Sequence, residues 1–99
     1  MRERKVLIVD DERRMADSLR DLLGAAGYRI EVAYSGAEGI DRLRRASFHV
    51  VVTDLRMHDV DGIGIIRHVH EHCPRTLVIV ITSHATTESA IEAVHYNVS

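Results

Sequence analysis

Val6-Leu7-Ile8-Val9-Asp10-Asp11-Glu12 places four consecutive apolar residues, three of them β-branched, directly against three carboxylates. A short continuous apolar run of this composition predicts a strand buried on both faces. Such strands belong to parallel sheets covered by helices, and the sequence downstream supplies the helices. Met15, Leu19, Leu22, Leu23 and Ala26 recur at helical spacing, and Gly24 and Gly27 end the pattern near Tyr28. Arg29 to Ala33 alternates polar and apolar, as a strand exposed on one side or at an edge would.

The alternation then repeats. Ser35 and Glu38 have the Ser-x-x-Glu spacing of a capping box and open a second helix with Ala37, Ile40 and Leu43 on its apolar stripe. Residues 48–53 predict a third strand ending at Asp54. After a loop rich in Asp and His, Ile63, Ile66 and Val69 mark a third helix, stopped by Cys73-Pro74. Leu77 to Ile81 is the strongest strand signal and ends at Thr82-Ser83. Thr86 or Thr87 can cap a last helix, residues 87–94, through Ala90, Ile91 and Val94. Strands alternating with helices define an α/β fold with a parallel sheet and right-handed crossovers. Ligands in such sheets bind beyond the carboxyl ends of the strands. Those ends carry Asp10 and Asp11, Asp54, and Thr82.

Composition narrows the function classes. Ninety-nine residues make one domain, 1–99, and 45% hydrophobic with 28% charged residues argues against disorder. No apolar run approaches the roughly 18 residues of a membrane span, and no secretion leader opens the chain. The single cysteine, Cys73, excludes an internal disulfide framework and fits a reducing, cytoplasmic setting. A net charge of -2 lacks the basic surplus of a nucleic-acid binder. Three carboxylates converging at strand ends repel one another in a partly dehydrated cleft, and a divalent cation relieves that repulsion. Mg²⁺ takes oxygen ligands and is usually held by one or two carboxylates plus phosphate oxygens. Taken singly, Asp10 and Asp11 also suit a helix N-terminus and Asp54 a turn. The combination points to a site.

These motifs carry a resemblance. Val6 to Glu12, Val50-Val51-Val52-Thr53-Asp54-Leu55-Arg56-Met57, Asp61-Gly62 and Val78-Ile79-Val80-Ile81-Thr82 together resemble the receiver domain of two-component response regulators, over essentially the whole chain. The resemblance implies a flavodoxin-like doubly wound sheet of strand order 2-1-3-4 with four strands and four helices, truncated before the family's fifth strand and fifth helix. It implies that Asp54 takes a phosphoryl group from a sensor histidine kinase and is not part of a turnover enzyme. It further implies that Asp10, Asp11, Asp54 and the backbone carbonyl of Arg56 hold Mg²⁺, and that Thr82 reaches a phosphoryl oxygen. An attached output such as transcription would be the thing regulated.

Three departures from the family pattern stand out. Its phosphate-contacting lysine has no counterpart, since Lys5, the chain's one lysine, precedes the first strand. His58 stands where the family usually has proline, and Ser83 where it has Ala or Gly. Self-association through the open edge at Leu77 to Ile81, or by exchange of the last helix, is expected of a four-strand remnant. Two other functions stay open: a phosphorylation-defective dimerisation module, and a Mg²⁺-dependent phosphatase with an aspartyl nucleophile. The latter usually shows Asp-x-Asp after its first strand, whereas here Asp10 and Asp11 are adjacent.

His68, His70, His72 and Cys73 have a superficial look of zinc ligands. Only His68 and His72 share a helix face, and a closed zinc site takes four ligands. Arg42, Arg44 and Arg45 read as a solvated helix face, and Arg13 and Arg14 as screening charges beside the acidic pair.

Overall fold

Alternate residues of the first strand serve two different cores, which is the physical reason for its unbroken apolar run. In the computed structural model, which describes residues 4–57, 59 and 61–81, the elements run β1 (Lys5–Val9), α1 (Arg13–Ala25), β2 (Arg29–Ala33), α2 (Gly36–Arg45), β3 (Val50–Thr53), α3 (Gly62–His72) and β4 (Leu77–Val80). All strand pairs are parallel and the order is β2-β1-β3-β4. Leu7, Val9 and Val51 face α2 and α3 and pack with Leu43, Ile65 and Ile66. Val6, Ile8 and Val52 face α1 and pack with Ala16, Leu19 and Leu23. The predicted α/β class and strand order 2-1-3-4 are thereby found. The expected fourth helix, Thr82 and Ser83 lie outside the described residues, as does His58.

The apolar stripe of α1 differs from the expected one. Ala16 is fully buried and Leu19 and Leu23 pack beside it, whereas Met15 is 43% and Leu22 68% exposed. Residues 16, 19 and 23 form one stripe, and 15 and 22 the neighbouring one, seven residues apart. Spacing alone cannot choose between them. The small Ala16 side chain lets the helix come close to the strands, and that choice turns Met15 and Leu22 outward. Gly24 lies inside α1 rather than ending it. The terminator is Gly27 at φ 99°, with Tyr28 N–H donating to the Leu23 carbonyl (3.2 Å) and Gly27 N–H to the Gly24 carbonyl (3.0 Å). This is a Schellman closure, which needs the left-handed conformation that glycine adopts freely.

Ser35 caps α2 as its motif predicts, accepting from Glu38 N–H at 3.1 Å. Ala37, however, is exposed, and Gly39 takes its place toward the sheet. A Cβ on Gly39 would lie 2.8 and 2.9 Å from the two methyl carbons of Val9, so its absence brings α2 down onto β1. The third strand begins at Val50, two residues later than expected; Phe48 is buried in the core ahead of it.

The strand β2 forms one edge, as its alternating pattern predicts. Its outward Glu31 is held by Lys5 Nζ (3.2 Å) and Arg42 (2.8 Å), and Arg42 also reaches Glu38 (3.4 Å). Partial burial pushes the Glu31 carboxyl up, but the bonds from Lys5 and Arg42 outweigh it and the net shift is downward. A lowered carboxyl contributes stability above its ordinary range, and that contribution is lost as pH falls through its folded value. Glu31→Gln should therefore destabilise the domain at neutral pH by less than about 1 kcal/mol, since the pair is partly solvated. Thermal melts at neutral pH and near about pH 3 check this: the gap between variant and wild type should close in acid.

A candidate metal and phosphoacceptor site at the strand ends

Parallel register brings the carboxylates together. Val9 pairs with Thr53 at the ends of β1 and β3, so the next residues, Asp10 and Asp54, emerge side by side. Backbone bonds fix both: Asp10 N–H donates to the Ala33 carbonyl (3.1 Å) and Asp54 N–H to the Val9 carbonyl (3.2 Å). Asp11 follows at the turn into α1. One carboxylate oxygen from each of Asp10, Asp11 and Asp54 lies within 4.8 Å of the others.

Asp10 is the buried member, 6% exposed, and its Oδ1 accepts from Glu12 N–H at 2.9 Å. Burial raises its pKa and the charges of Asp54 and Asp11 raise it further, against the lowering effect of that backbone bond. Asp54 is half-buried, and its Oδ1 accepts from Arg56 N–H at 3.3 Å. The Thr53 hydroxyl donates to the Asp54 carbonyl at 3.0 Å. Gly62 N–H donates to the Leu55 carbonyl at 2.8 Å, and a Cβ on Gly62 would overlap the Asp54 carbonyl oxygen and lie 2.7 Å from Leu55 Cα. The first turn of α3 therefore rests on the backbone that presents Asp54. Asp61 caps that turn, accepting from Gly64 N–H at 3.1 Å.

The donor set consists of hard carboxylate oxygens, three of them within 4.8 Å of one another and one belonging to a buried carboxyl. It fits a small divalent cation. The structure thus brings Asp10, Asp11 and Asp54 together and ties Arg56 to Asp54 through its amide, while Thr82 lies outside the described residues. Among the described residues, no second group of three metal-ligating side chains forms. The rings of His68 and His72 lie 4.8 Å apart, with burial and the neighbouring His72 lowering the His68 pKa. A cavity of about 550 Å³ opens at the opposite end of the sheet, bordered by Arg44, Phe48, Cys73 and Arg75, away from the carboxylates.

Several site-proximal contacts have no signature in the sequence. Arg13 stacks on the Tyr34 ring at 4.1 Å, and the Tyr34 hydroxyl donates to Asp17 at 2.6 Å, bracing the start of α1 beside the acidic pair. Asp59 accepts from Gly36 N–H (3.0 Å) and Ala37 N–H (2.9 Å), across 23 and 22 residues respectively. An acidic loop is visible in sequence; which helix one of its carboxylates caps is not.

A parallel α/β sheet of order β2-β1-β3-β4 with an acidic cluster at the ends of β1 and β3 defines the class of flavodoxin-like folds, and comparison with known proteins makes the assignment specific. The response regulator receiver domain family matches residues 6–99, and the chain belongs to that family. It is 32% identical over 88 residues to the transcriptional regulatory protein ZraR of Escherichia coli (strain K12), covering 89% of this chain and 20% of that protein. The chain spans about a fifth of the length of such curated relatives. The crystal structure of a CheY-like receiver domain protein from Methanospirillum hungatei JF-1 has the same fold, with a TM-score of 0.96, 24% identity, and coverage of 99% of this chain and 78% of that one. The beryllofluoride-activated NtrC4 receiver domain dimer, solved in solution, is 35% identical with a TM-score of 0.84, covering 93% of this chain and 76% of that one. Among the described residues, no helix is long and apolar enough to cross a membrane.

Proposed function

We propose that this receiver domain is a Mg²⁺-dependent phosphoryl acceptor in the cytoplasm, with Asp54 as the residue modified. The observation that carries the reading is the convergence of Asp10, Asp11 and Asp54 within 4.8 Å at adjacent strand ends. Asp10, Asp11, Asp54 and the backbone carbonyl of Arg56 would hold the cation. When bound, it would neutralise charge on the transferring phosphoryl group. An oxygen of the Asp54 carboxylate attacks phosphorus of a phosphohistidine on a sensor kinase; the new P–O bond forms, the P–N bond breaks, and imidazole leaves. The Arg56 amide at 3.3 Å orients the carboxylate. A carboxylate is a weak nucleophile, so positioning supplies most of the catalysis. Thr82 would then contact the phosphoryl group.

Residues 1–99 are read as a single receiver unit whose phosphorylation regulates an attached output. The transcriptional regulators among its relatives, and the minor share of their length that it spans, support that output being transcription. Self-association is supported by the dimer of the NtrC4 receiver. Leu77 in β4 and Ile81 just after it, both exposed among the described residues, would supply apolar surface for it. Receiver domains are signalling modules, and the adjacent Asp10-Asp11 pair favours that role over phosphatase turnover. Intact-mass spectrometry after incubation with phosphoramidate and Mg²⁺ tests the reading. Wild type should gain one phosphoryl group, slowly, and Asp54→Ala none. Equal labelling of both proteins would rule out Asp54 as the acceptor, and labelling of neither would favour the phosphorylation-defective module.

A further inference from the structure

Two separate segments close the N-terminus of α2. Ser35, at its own cap position, accepts from Glu38 N–H. The amides of Gly36 and Ala37 are instead taken by the two oxygens of Asp59, at 3.0 and 2.9 Å. A carboxylate divided between two amides of a helix N-terminus makes charge-assisted bonds and gains from the helix dipole. Asp59 lies between β3 and α3, and described residues on both sides of it are tied to Asp54 or to its neighbour Leu55. Arg56 N–H reaches Asp54 Oδ1, and Gly62 N–H reaches the Leu55 carbonyl. The helix α2 is in turn seated through Gly39 on Val9, the residue before Asp10. Asp59 thus meets the first turn of α2, and α2 in turn meets the residue before Asp10.

We propose that Asp59 is a positioning residue that couples the acidic site to α2: it holds the loop carrying Arg56 in place, and occupancy of the site is felt at the first turn of α2. The functional consequence rests on the reading of the carboxylate cluster as a cation site; the mechanical tie does not. Coupling is reciprocal, so what α2 does for the site, the site does for α2. Ser35 provides the contrast. Its loss frays the same helix end without releasing the loop.

The test is amide hydrogen exchange by NMR on the full chain, for wild type, Asp59→Ala, Asp59→Asn and Ser35→Ala, each with and without Mg²⁺. Asp59→Ala should speed exchange at Gly36, Ala37 and Arg56 by roughly five- to tenfold, the range expected for a lost cap. Asp59→Asn, which keeps one acceptor oxygen, should show a smaller change at the same amides. Ser35→Ala should loosen Glu38 and leave Arg56 unchanged. Mg²⁺ should slow exchange at Gly36 and Ala37 in wild type and lose that effect in Asp59→Ala. Equal behaviour of Arg56 in Asp59→Ala and Ser35→Ala, whether both change or neither does, would overturn the proposal. A distinct Arg56 response with no Mg²⁺ effect on any wild-type amide would uphold the tie and overturn the cation site instead.

Discussion

Gly62→Ala should lower the melting temperature by roughly 15 °C, a loss of about 3 kcal/mol. In open space the change would favour the helix, by up to about 1 kcal/mol of propensity. Here the added methyl group would overlap the Asp54 carbonyl oxygen and press on Leu55 Cα, both backbone atoms without a rotamer to yield. The helix α3 would have to lift from the loop, breaking the bond from Gly62 N–H to the Leu55 carbonyl and shifting Asp54. Circular dichroism melts measure the loss, and Mg²⁺ affinity should fall with it. Gly24→Ala is the control: its Cβ meets nothing within 4 Å, and the helix should be as stable or more so. A Gly62→Ala protein melting within a few degrees of wild type would show that α3 does not rest on the backbone of Asp54 and Leu55.

Asp10→Asn should have opposite effects on stability and binding. Three carboxylates within 4.8 Å, one of them buried, cost the metal-free fold free energy. Asparagine keeps an acceptor for Glu12 N–H and removes one negative charge. The metal-free variant should gain about 1 kcal/mol, or roughly 5 °C, while Mg²⁺ no longer raises its melting temperature. Melts of both proteins with and without Mg²⁺ read the two effects together. A variant less stable than wild type without the metal would mean that Asp10 is structural and its charge compensated.

Most of the architecture was legible because each strand served by two cores leaves an unbroken apolar run. Val6 to Val9 is such a run, and Leu77 to Val80 reads similarly. The acidic site was legible for a related reason. Parallel register puts the residues after β1 and β3 side by side, so Asp10 and Asp54 needed only their places at strand ends. What was not legible depended on tertiary choice. Met15 and Leu22 fit an apolar stripe as well as Ala16 and Leu23 do, and close packing at Ala16 decided between them. Ala37 looked like core until Gly39 brought α2 onto Val9. The capping role of Asp59 depends on two segments more than twenty residues apart meeting, and no local pattern encodes it. Of the two glycines that the pattern places at the end of α1, Gly24 continues the helix and Gly27 closes it.

If Asp10, Asp11 and Asp54 act as one cation-binding site at the end of the sheet, they respond to Mg²⁺ together. Titration of Mg²⁺ into the isotopically labelled chain should give saturable amide shifts concentrated at Asp10, Asp11, Glu12, Asp54 and Arg56, abolished together in Asp54→Asn. Shifts spread over unrelated acidic residues such as Asp21, Asp41 and Glu71, or a pattern unchanged in Asp54→Asn, would show that the three carboxylates do not form one site.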